Sequence, residues 1–218
     1  MKKMMALLSF RLHREDILGF TQMDLYVGLF FTWLVGMGRY WDHPKAEILQ
    51  YLGVGSVIYA LVFSAFIFAI LWPLKIEKLS YKNVLTYVSL TSFPALLYAI
   101  PVEKWTEFST AASLNAYFLT IVATWRVALL LAYLKKFAGL GVLQRVVVGF
   151  LPLTLIITLL TALNLEKAVF NFMGAPIAPT TRDTAYQILN LLTMLSVLFF
   201  IPLLLGYGVI VYRRRKSA

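Results

Sequence analysis

Six apolar runs of nearly membrane-spanning length constrain this sequence more than any other feature. The runs lie at about 24 to 40, 49 to 72, 83 to 101, 112 to 134, 143 to 163 and 186 to 211. An α-helix rises about 1.5 Å per residue, so about 20 apolar residues cross the hydrocarbon core of a bilayer. The runs lack the alternating pattern of barrel strands. The sequence therefore predicts an all-α fold, a polytopic bundle of about six transmembrane helices.

Composition agrees with a membrane protein. The chain has 218 residues, of which 61% are hydrophobic and 14% are charged. A soluble domain of this size cannot bury so much apolar surface in one core. We therefore expect an integral, multi-pass membrane protein, located in the plasma (inner) membrane if the source is a prokaryote.

The distribution of basic residues predicts the orientation, because loops rich in Lys and Arg face the cytoplasm. With a cytoplasmic N-terminus, the inner segments hold Lys2, Lys3, Arg11, Arg14, Lys75, Lys78, Lys82, Lys135, Lys136, Arg145, Arg213, Arg214, Arg215 and Lys216. The outer segments hold fewer, namely Arg39, Lys45, Lys104, Lys167 and Arg182. Both termini are therefore predicted to be cytoplasmic.

The loops are too short for a separate soluble domain, and three parts are predicted. Residues 1–22 form an N-terminal interfacial amphipathic segment, 23–212 the six-helix transmembrane domain, and 213–218 a basic cytoplasmic tail. The longest loop, 164 to 183, contains prolines that prevent a continuous helix.

The N-terminal segment places Met4, Leu8 and Leu12 on one helical stripe. Such a stripe is typical of a helix that lies along the inner leaflet. A poorly ordered start of the chain is the alternative interpretation.

The net charge of +10 indicates partners on the cytoplasmic face. No nucleic-acid-binding motif accompanies the basic residues, so we expect no nucleic acid partner. Anionic lipid headgroups attract each Lys or Arg by about 1 kcal/mol, and a soluble partner with an acidic surface is an alternative. The absence of cysteine excludes disulfides and thiolate metal sites.

Arg126 is the one permanent charge well inside an apolar run, about nine residues, or roughly 13 Å, from Lys135. A charged residue at such a depth is a candidate functional site. Two interpretations remain open. Arg126 either has a structural role, paired with a carboxylate or with backbone carbonyls, or it binds an anionic headgroup or substrate.

Asp24, at the inner end of the first run, is the nearest candidate partner for Arg126. The favoured alternative is a capping box, in which Thr21 and Asp24 satisfy free N–H groups at the helix start.

The segment "GMGRYWDHP", residues 36 to 44, combines Arg39, two aromatic residues, Asp42 and His43 at the outer end of the first run. Trp and Tyr concentrate at membrane boundaries, which favours an interfacial anchor. The alternative is a catalytic or headgroup-binding role for Arg39 and His43. His13 is predicted on the opposite membrane face, so the two histidines do not form a metal site.

Pro94, Pro152 and Pro202 each lie within an apolar run and are candidate helix kinks. Counted from the predicted cytoplasmic ends, all three have similar depths. Kinks at one depth near Arg126 favour an inward-facing polar cavity there.

Catalytic signatures are missing from the sequence. It contains no H-E-x-x-H, G-x-S-x-G, P-loop or G-x-G-x-x-G motif, so we predict no catalytic residues, no metal and no cofactor. The middle of every run lacks acidic residues, which argues against a proton-driven transporter. Whether the protein is an enzyme stays open, with a non-enzymatic role favoured.

Three segments resemble the Yip-domain family of integral membrane proteins, first known as Rab GTPase interactors. They are "MDLYVGLFFTWL" (23 to 34), "SYKNVLTYVSLTSFPALL" (80 to 97) and "TWRVALLLAYLKKFAGLGVLQRVVVGFLPLTL" (124 to 155). The similarity covers about residues 20 to 163 and implies a helical membrane protein that binds protein partners. A sixth predicted helix follows the family's usual five.

Three functions are consistent with these observations. The first is a non-enzymatic, Yip-like scaffold that organises partners or lipids in the membrane, with a membrane-protein partner or a homo-oligomer. The second is a lipid-handling permease or enzyme with an anionic headgroup at Arg126. The third is an accessory subunit of a larger membrane complex.

Overall fold

The computed structural model describes residues 2–41, 48–165 and 184–216, and this part of the chain is helical with no strand. Its α-helices are α1 (Lys2–Leu8), α2 (Arg14–Leu18), α3 (Gln22–Gly38), α4 (Ile48–Tyr51), α5 (Val54–Leu71), α6 (Tyr81–Leu90), α7 (Phe108–Lys136), α8 (Val142–Ala162) and α9 (Thr184–Lys216). Short 3-10 segments occur at Trp72–Leu74, Phe93–Ala99 and Val102–Lys104.

Four helical stretches are long and apolar enough to cross a membrane, which indicates an integral membrane protein. They are Val54–Leu74, Ser113–Lys136, Val142–Ala162 and Leu189–Lys216. Many large apolar side chains on α9 are exposed on the protein surface. Lipid covers such a surface when a helix spans a bilayer.

The other two predicted spans are shorter or interrupted. Helix α3 has 17 residues, near the lower limit for a span. The run at 83 to 101 differs from the single helix expected, because α6 ends at Leu90 and the 3-10 segment Phe93–Ala99 follows. Pro94 has no N–H for a helical bond and its ring clashes with the preceding turn, which accounts for the break.

Small residues bring α3 and α6 into close contact. Gly28, Thr32 and Gly36 are buried at intervals of four residues on α3. A Cβ atom at Gly28 would lie 2.9 Å from Cβ of Ser89 on α6. Spacing of small residues by four is a common basis of tight helix packing in membranes.

The same face of α3 approaches the start of α5. A Cβ atom at Gly36 would lie 2.6 Å from the carbonyl oxygen of Gly53 and 2.8 Å from its Cα. Gly53 has φ of 65°, a left-handed conformation that glycine adopts without strain. Neither position accommodates a larger residue unless the backbone moves.

The N-terminal segment, two turns and the end of α9 lie together at one end of the bundle. Arg214 on α9 donates to the carbonyl oxygens of Leu74, after α5, and Ala138, after α7, both at 3.2 Å. Lys136 donates to the Phe10 carbonyl oxygen at 2.6 Å. The chain therefore starts at this end, returns to it after α5 and after α7, and finishes at it.

The N-terminal segment packs against the bundle. Met4, Leu8 and Leu12, the predicted stripe, are at most 7% exposed, and the indole of Trp125 on α7 donates to the Leu8 carbonyl oxygen at 3.1 Å. The segment is two short helices, and Phe10 between them has φ of 61°. The stripe thus faces other helices of the bundle.

Candidate functional site

Arg126 lies on the face of α7 that meets α5 and α6. Its Cζ lies 5.8 Å from the ring centroid of Tyr59 on α5, within the range of a cation–π contact. Tyr87 and Tyr98 lie within electrostatic range of the same guanidinium. Within the described part of the chain, no hydrogen bond or ion pair is formed by Arg126. The guanidinium thus has aromatic neighbours and free N–H donors.

Arg39 reaches the same group of tyrosines from the end of α3. Its Cζ lies 5.2 Å from the ring centroid of Tyr98, and Tyr98 lies within electrostatic range of Arg126 and Tyr59. We refer to Arg39, Tyr59, Tyr87, Tyr98 and Arg126 as the arginine–tyrosine cluster. It joins residues from α3, α5, α6, α7 and the 3-10 segment Phe93–Ala99.

Buried hydroxyls on α6 and α7 have no hydrogen-bond partner in the part of the chain that the structure describes. They belong to Tyr87, Ser89 and Tyr133. Tyr87 and Tyr133 are each 3% exposed, and their rings stack with centroids 4.1 Å apart. A buried polar group without a partner costs about 1–3 kcal/mol, so these hydroxyls are available to a ligand or to water.

Asp24 pairs with Thr21 and Lys3 and not with Arg126. Its Oδ2 accepts from the Thr21 backbone N–H and hydroxyl, both at 2.9 Å, and its own N–H donates to Thr21 Oγ1 at 3.2 Å. Lys3 Nζ lies 3.4 Å from the same carboxylate oxygen. The predicted capping box is therefore present, and the charged partner of Asp24 is Lys3.

The segment 36 to 44 is described as far as Trp41, so Asp42, His43 and Pro44 lie outside the described residues. The Trp41 indole donates to the Ala99 carbonyl oxygen at 3.0 Å, and Lys104 Nζ lies 4.5 Å from the Trp41 ring centroid. These contacts fix the end of α3 next to the 3-10 segment that carries Tyr98. Most of the predicted loop 164 to 183 also lies outside the described residues.

The three candidate kinks have different surroundings. Pro152 is buried inside α8, and Pro202 lies inside α9 but is exposed. Pro94 is buried at the start of its 3-10 segment. Pro202 therefore faces outward, whereas Pro94 and Pro152 face the interior.

A separate small cavity of about 20 Å³ lies under the N-terminal segment. Its lining includes Leu7, Phe10, Tyr87, Tyr133 and Lys136. This volume is enough for about one water molecule. It connects the N-terminal segment with the unpartnered tyrosine hydroxyls and is too small for a larger ligand.

The arginine–tyrosine cluster presents hydrogen-bond donors of the kind that suit an anion. Guanidinium groups only donate hydrogen bonds, and tyrosine hydroxyls donate as well as accept. Within residues 2–41, 48–165 and 184–216, no group of three His, Cys, Asp or Glu side chains could hold a metal ion.

Sequence reasoning missed the tyrosines of this cluster. Tyr59 lies well inside the second apolar run, away from the boundaries where tyrosine is usually enriched, and this position was an available signal. Tyr98 gave no comparable signal, because its contact with Arg39 depends on how the chain folds after Pro94.

Comparisons with protein-family models, curated proteins and solved structures found no match to this chain. The resemblance to the Yip-domain family therefore stays a prediction, and the geometry of the arginine–tyrosine cluster is the strongest observation on function.

Proposed function

We propose that this protein crosses the membrane six times, with both termini in the cytoplasm of its cell. The three returns of the chain to one end of the bundle support an even number of crossings, two between successive returns. Helix α3 and the interrupted element from α6 to the 3-10 segment Phe93–Ala99 would be the two additional crossings. Basic residues at the shared end, including Arg14, Lys136 and Arg214, support its cytoplasmic location.

We propose that the function is to bind an anionic amphiphile, with its headgroup at Arg126 and its chains in the surrounding lipid. One observation carries this proposal, the position of Arg126 among tyrosines with no acidic partner in the described part of the chain. Arginines inside membranes usually pair with another group or face water, because an unpaired charge there costs several kcal/mol. A bound anion would supply the missing partner.

The neighbouring side chains suit such a ligand. The planar guanidinium donates two parallel hydrogen bonds to carboxylate or phosphate oxygens. Tyr59 stacks near the guanidinium and restricts its orientation. Since the cluster contains no nucleophile or base of ordinary reactivity at neutral pH, it supports binding or transport of the lipid.

The direct test is native mass spectrometry of the protein after gentle extraction from its own membrane. Arg126→Gln removes the charge and keeps a polar side chain of similar length. Arg145→Gln, at the start of α8, is the matched control, because Arg145 contacts its own helix through the Gly141 carbonyl oxygen.

We expect wild type and Arg145→Gln to retain an anionic lipid that Arg126→Gln loses. Circular dichroism and size-exclusion chromatography would show whether Arg126→Gln is folded. An equal anionic-lipid content in the three folded proteins would contradict the proposal.

A scaffold function is the second candidate, favoured by the concentration of basic side chains at one end. Lys75 and Lys78 are exposed there, and Arg14 is paired with Glu77 at 3.0 Å. This end would bind a partner with an acidic surface. Such a partner would be a protein of the kind that Yip-domain proteins bind, or another subunit of a membrane complex.

The scaffold proposal predicts that one protein partner crosslinks to the wild type in whole membranes at fixed stoichiometry. The double substitution Lys75→Gln and Lys78→Gln should abolish the crosslink. Lys104→Gln should leave the crosslink unchanged, because Lys104 lies next to Trp41 at the other end of the bundle. An unchanged crosslink in the double variant would contradict the scaffold proposal.

A further inference from the structure

A cavity of about 640 Å³ lies between the turn that follows α5 and the last turn of α9. It is lined by Trp72, Pro73, Lys75 and Arg215, and we refer to it as the basic cavity. Pockets that hold whole small molecules have volumes of about 300–1,000 Å³. The basic cavity is therefore large enough for a ligand with more than one charged group.

Two contacts hold α9 against the turn and so fix the shape of the basic cavity. The Tyr207 hydroxyl donates to the Ile70 carbonyl oxygen at 2.8 Å, and Arg214 donates to the Leu74 carbonyl oxygen at 3.2 Å. Successive residues of an α-helix point about 100° apart. Arg215 therefore points to a different side of α9 from Arg214, and it is exposed.

The basic cavity presents two positive charges to one ligand. Lys75 and Arg215 are both exposed, and no acidic side chain of the described residues lines the cavity. The recorded salt bridges of the described residues involve neither of these cations. Glu77, which lies two residues after Lys75, is paired with Arg14 at 3.0 Å. An anion is therefore the ligand that the lining suits.

The position of the basic cavity at the ends of two candidate membrane spans indicates a lipid. The stretches Val54–Leu74 and Leu189–Lys216 both end beside it. Trp72 is 71% exposed at its rim, and indole rings concentrate where hydrocarbon meets the headgroups of a bilayer. The cavity thus opens at the level of the lipid headgroups.

An open stripe on α9 leads away from the basic cavity along the membrane span. Leu205 and Tyr212 are each 67% exposed, and no described atom lies within 4 Å of a Cβ added at Gly208. These positions and Arg215 follow one another at intervals of three or four residues, so they share one face of the helix. The stripe provides a surface for the acyl chains of a lipid whose headgroup lies in the cavity.

We propose that the basic cavity binds a phospholipid with two phosphates in its headgroup, one at Lys75 and the other at Arg215. This site is separate from the one proposed at Arg126. The guanidinium donates two parallel hydrogen bonds to one phosphate, and the ammonium group attracts the other as a point charge. Basic pockets between membrane helices bind headgroups of this class. A headgroup with one phosphate would neutralise one cation and leave the second without a counterion.

Nanodiscs of phosphatidylcholine provide the test when they contain equal small amounts of cardiolipin, which has two phosphates, and phosphatidylglycerol, which has one. Native mass spectrometry measures how much of each lipid stays bound. We expect Arg126→Gln, which lacks the other proposed lipid site, to retain cardiolipin over phosphatidylglycerol by about fivefold. This factor corresponds to the attraction of one more basic side chain for the headgroup. Wild type should retain the same amount of cardiolipin in this cavity.

Substitutions of neighbouring basic residues separate the cavity from the general surface charge. Lys75→Gln and Arg215→Gln should each lower the retained cardiolipin about fivefold. Lys78→Gln and Lys216→Gln are the matched controls, because both residues are exposed at the same end and neither lines the cavity. The two controls should retain as much cardiolipin as wild type. Size-exclusion chromatography checks the fold of each variant, and Arg215→Gln serves alone if Lys75→Gln does not fold.

Inorganic pyrophosphate distinguishes a lipid from a soluble ligand with two phosphates. We expect it to leave the thermal stability of wild type unchanged in pure phosphatidylcholine nanodiscs, because the cavity holds the headgroup together with acyl chains on α9. Stabilisation by inorganic pyrophosphate that is lost in Lys75→Gln, with no retention of cardiolipin, would overturn the lipid and assign the cavity to a soluble ligand.

Two further results would overturn the inference and leave headgroup binding at Arg126 intact. Equal losses of cardiolipin in Lys75→Gln and Lys78→Gln would show that the lipid responds to the total charge of this end. Equal retention of cardiolipin and phosphatidylglycerol by folded Arg126→Gln would show that the cavity does not select two phosphates.

Discussion

The α3–α6 interface and the arginine–tyrosine cluster are neighbouring regions. They differ in how far their polar groups are hydrogen-bonded. At the interface, the Thr32 hydroxyl lies 2.9 Å from both the Gly28 carbonyl oxygen and the Ser92 hydroxyl. In the cluster, the Arg126 guanidinium and the Tyr87 hydroxyl have no hydrogen-bond partner within the described residues. Small residues pack closely in the first region, and large polar ones remain unpaired in the second.

The contrast predicts different effects of substitutions in the two regions, on the stability of the fold in one and on ligand binding in the other. Close packing and satisfied polar groups stabilise a membrane helix pair, so substitutions at the interface should weaken the fold. Buried polar groups without partners lower stability unless a ligand is bound. Substitutions in the cluster should therefore change ligand binding more than the stability of the empty protein.

The largest effect on stability is expected from Gly36→Ala. The added Cβ would lie 2.6 Å from the Gly53 carbonyl oxygen, and backbone atoms must move to relieve the clash, which should cost about 3 kcal/mol. Gly208→Ala on α9 is the control, since nothing lies within 4 Å of its added Cβ. Unfolding in sodium dodecyl sulfate measures both variants. Equal stability of the two variants would show that the α3 interface is not tightly packed.

Arg126→Gln should have the next largest effect, the loss of the stabilisation that the ligand gives. Anionic lipid at about 100 times its dissociation constant should stabilise wild type by about 2.7 kcal/mol and the variant hardly at all. Thermal unfolding with and without anionic lipid measures the difference. An equal lipid-induced shift in both proteins would place the binding elsewhere.

Thr32→Val tests the satisfied polar contacts at the interface. The substitution keeps the shape and removes the hydroxyl that bonds with Gly28 and Ser92, which should cost about 1 kcal/mol. Thr120→Val is the control, because its recorded bond is to the Ala116 carbonyl oxygen of the same helix. A loss for Thr120→Val as large as for Thr32→Val would remove the contrast between the regions.

The smallest effect is expected from Tyr133→Phe. The lost hydroxyl is buried and has no partner among the described residues, so the variant should be as stable as wild type or slightly more stable. Tyr207→Phe, which removes a 2.8 Å bond to the Ile70 carbonyl oxygen, should lose about 1 kcal/mol. Unfolding curves of the two variants, measured under the same conditions, give the loss of stability for each. A loss for Tyr133→Phe equal to that for Tyr207→Phe would mean that its hydroxyl has a partner.

The sequence predicted the parts of the fold that depend on local chemistry. The long apolar helices and the capping box of Thr21 and Asp24 follow from composition and from short-range spacing. The N-terminal stripe of Met4, Leu8 and Leu12 was identified, but an apolar stripe is the same whether it faces lipid or protein. Its burial against the bundle depends on contacts such as that between Trp125 and Leu8, which are distant in sequence.

The candidate site was predicted only in part. Arg126 stood out because a charge in an apolar run is expensive. Arg39 was a weaker candidate at a membrane boundary, and nothing in the sequence related it to Arg126. Tyr98, which contacts Arg39, lies in a segment that the apolar pattern assigned to a regular helix.

A distance between phosphorus and the Arg126 guanidinium tests the central claim most directly. Solid-state NMR can measure it with arginine-labelled protein in vesicles of phosphatidylcholine and phosphatidic acid, where ³¹P dephases the signal of a nearby Cζ. A hydrogen-bonded phosphate places phosphorus within about 5 Å of Cζ. We predict that part of the dephased signal of wild type is lost in Arg126→Gln and retained in Arg145→Gln. Identical dephasing in wild type and folded Arg126→Gln would contradict headgroup binding at Arg126.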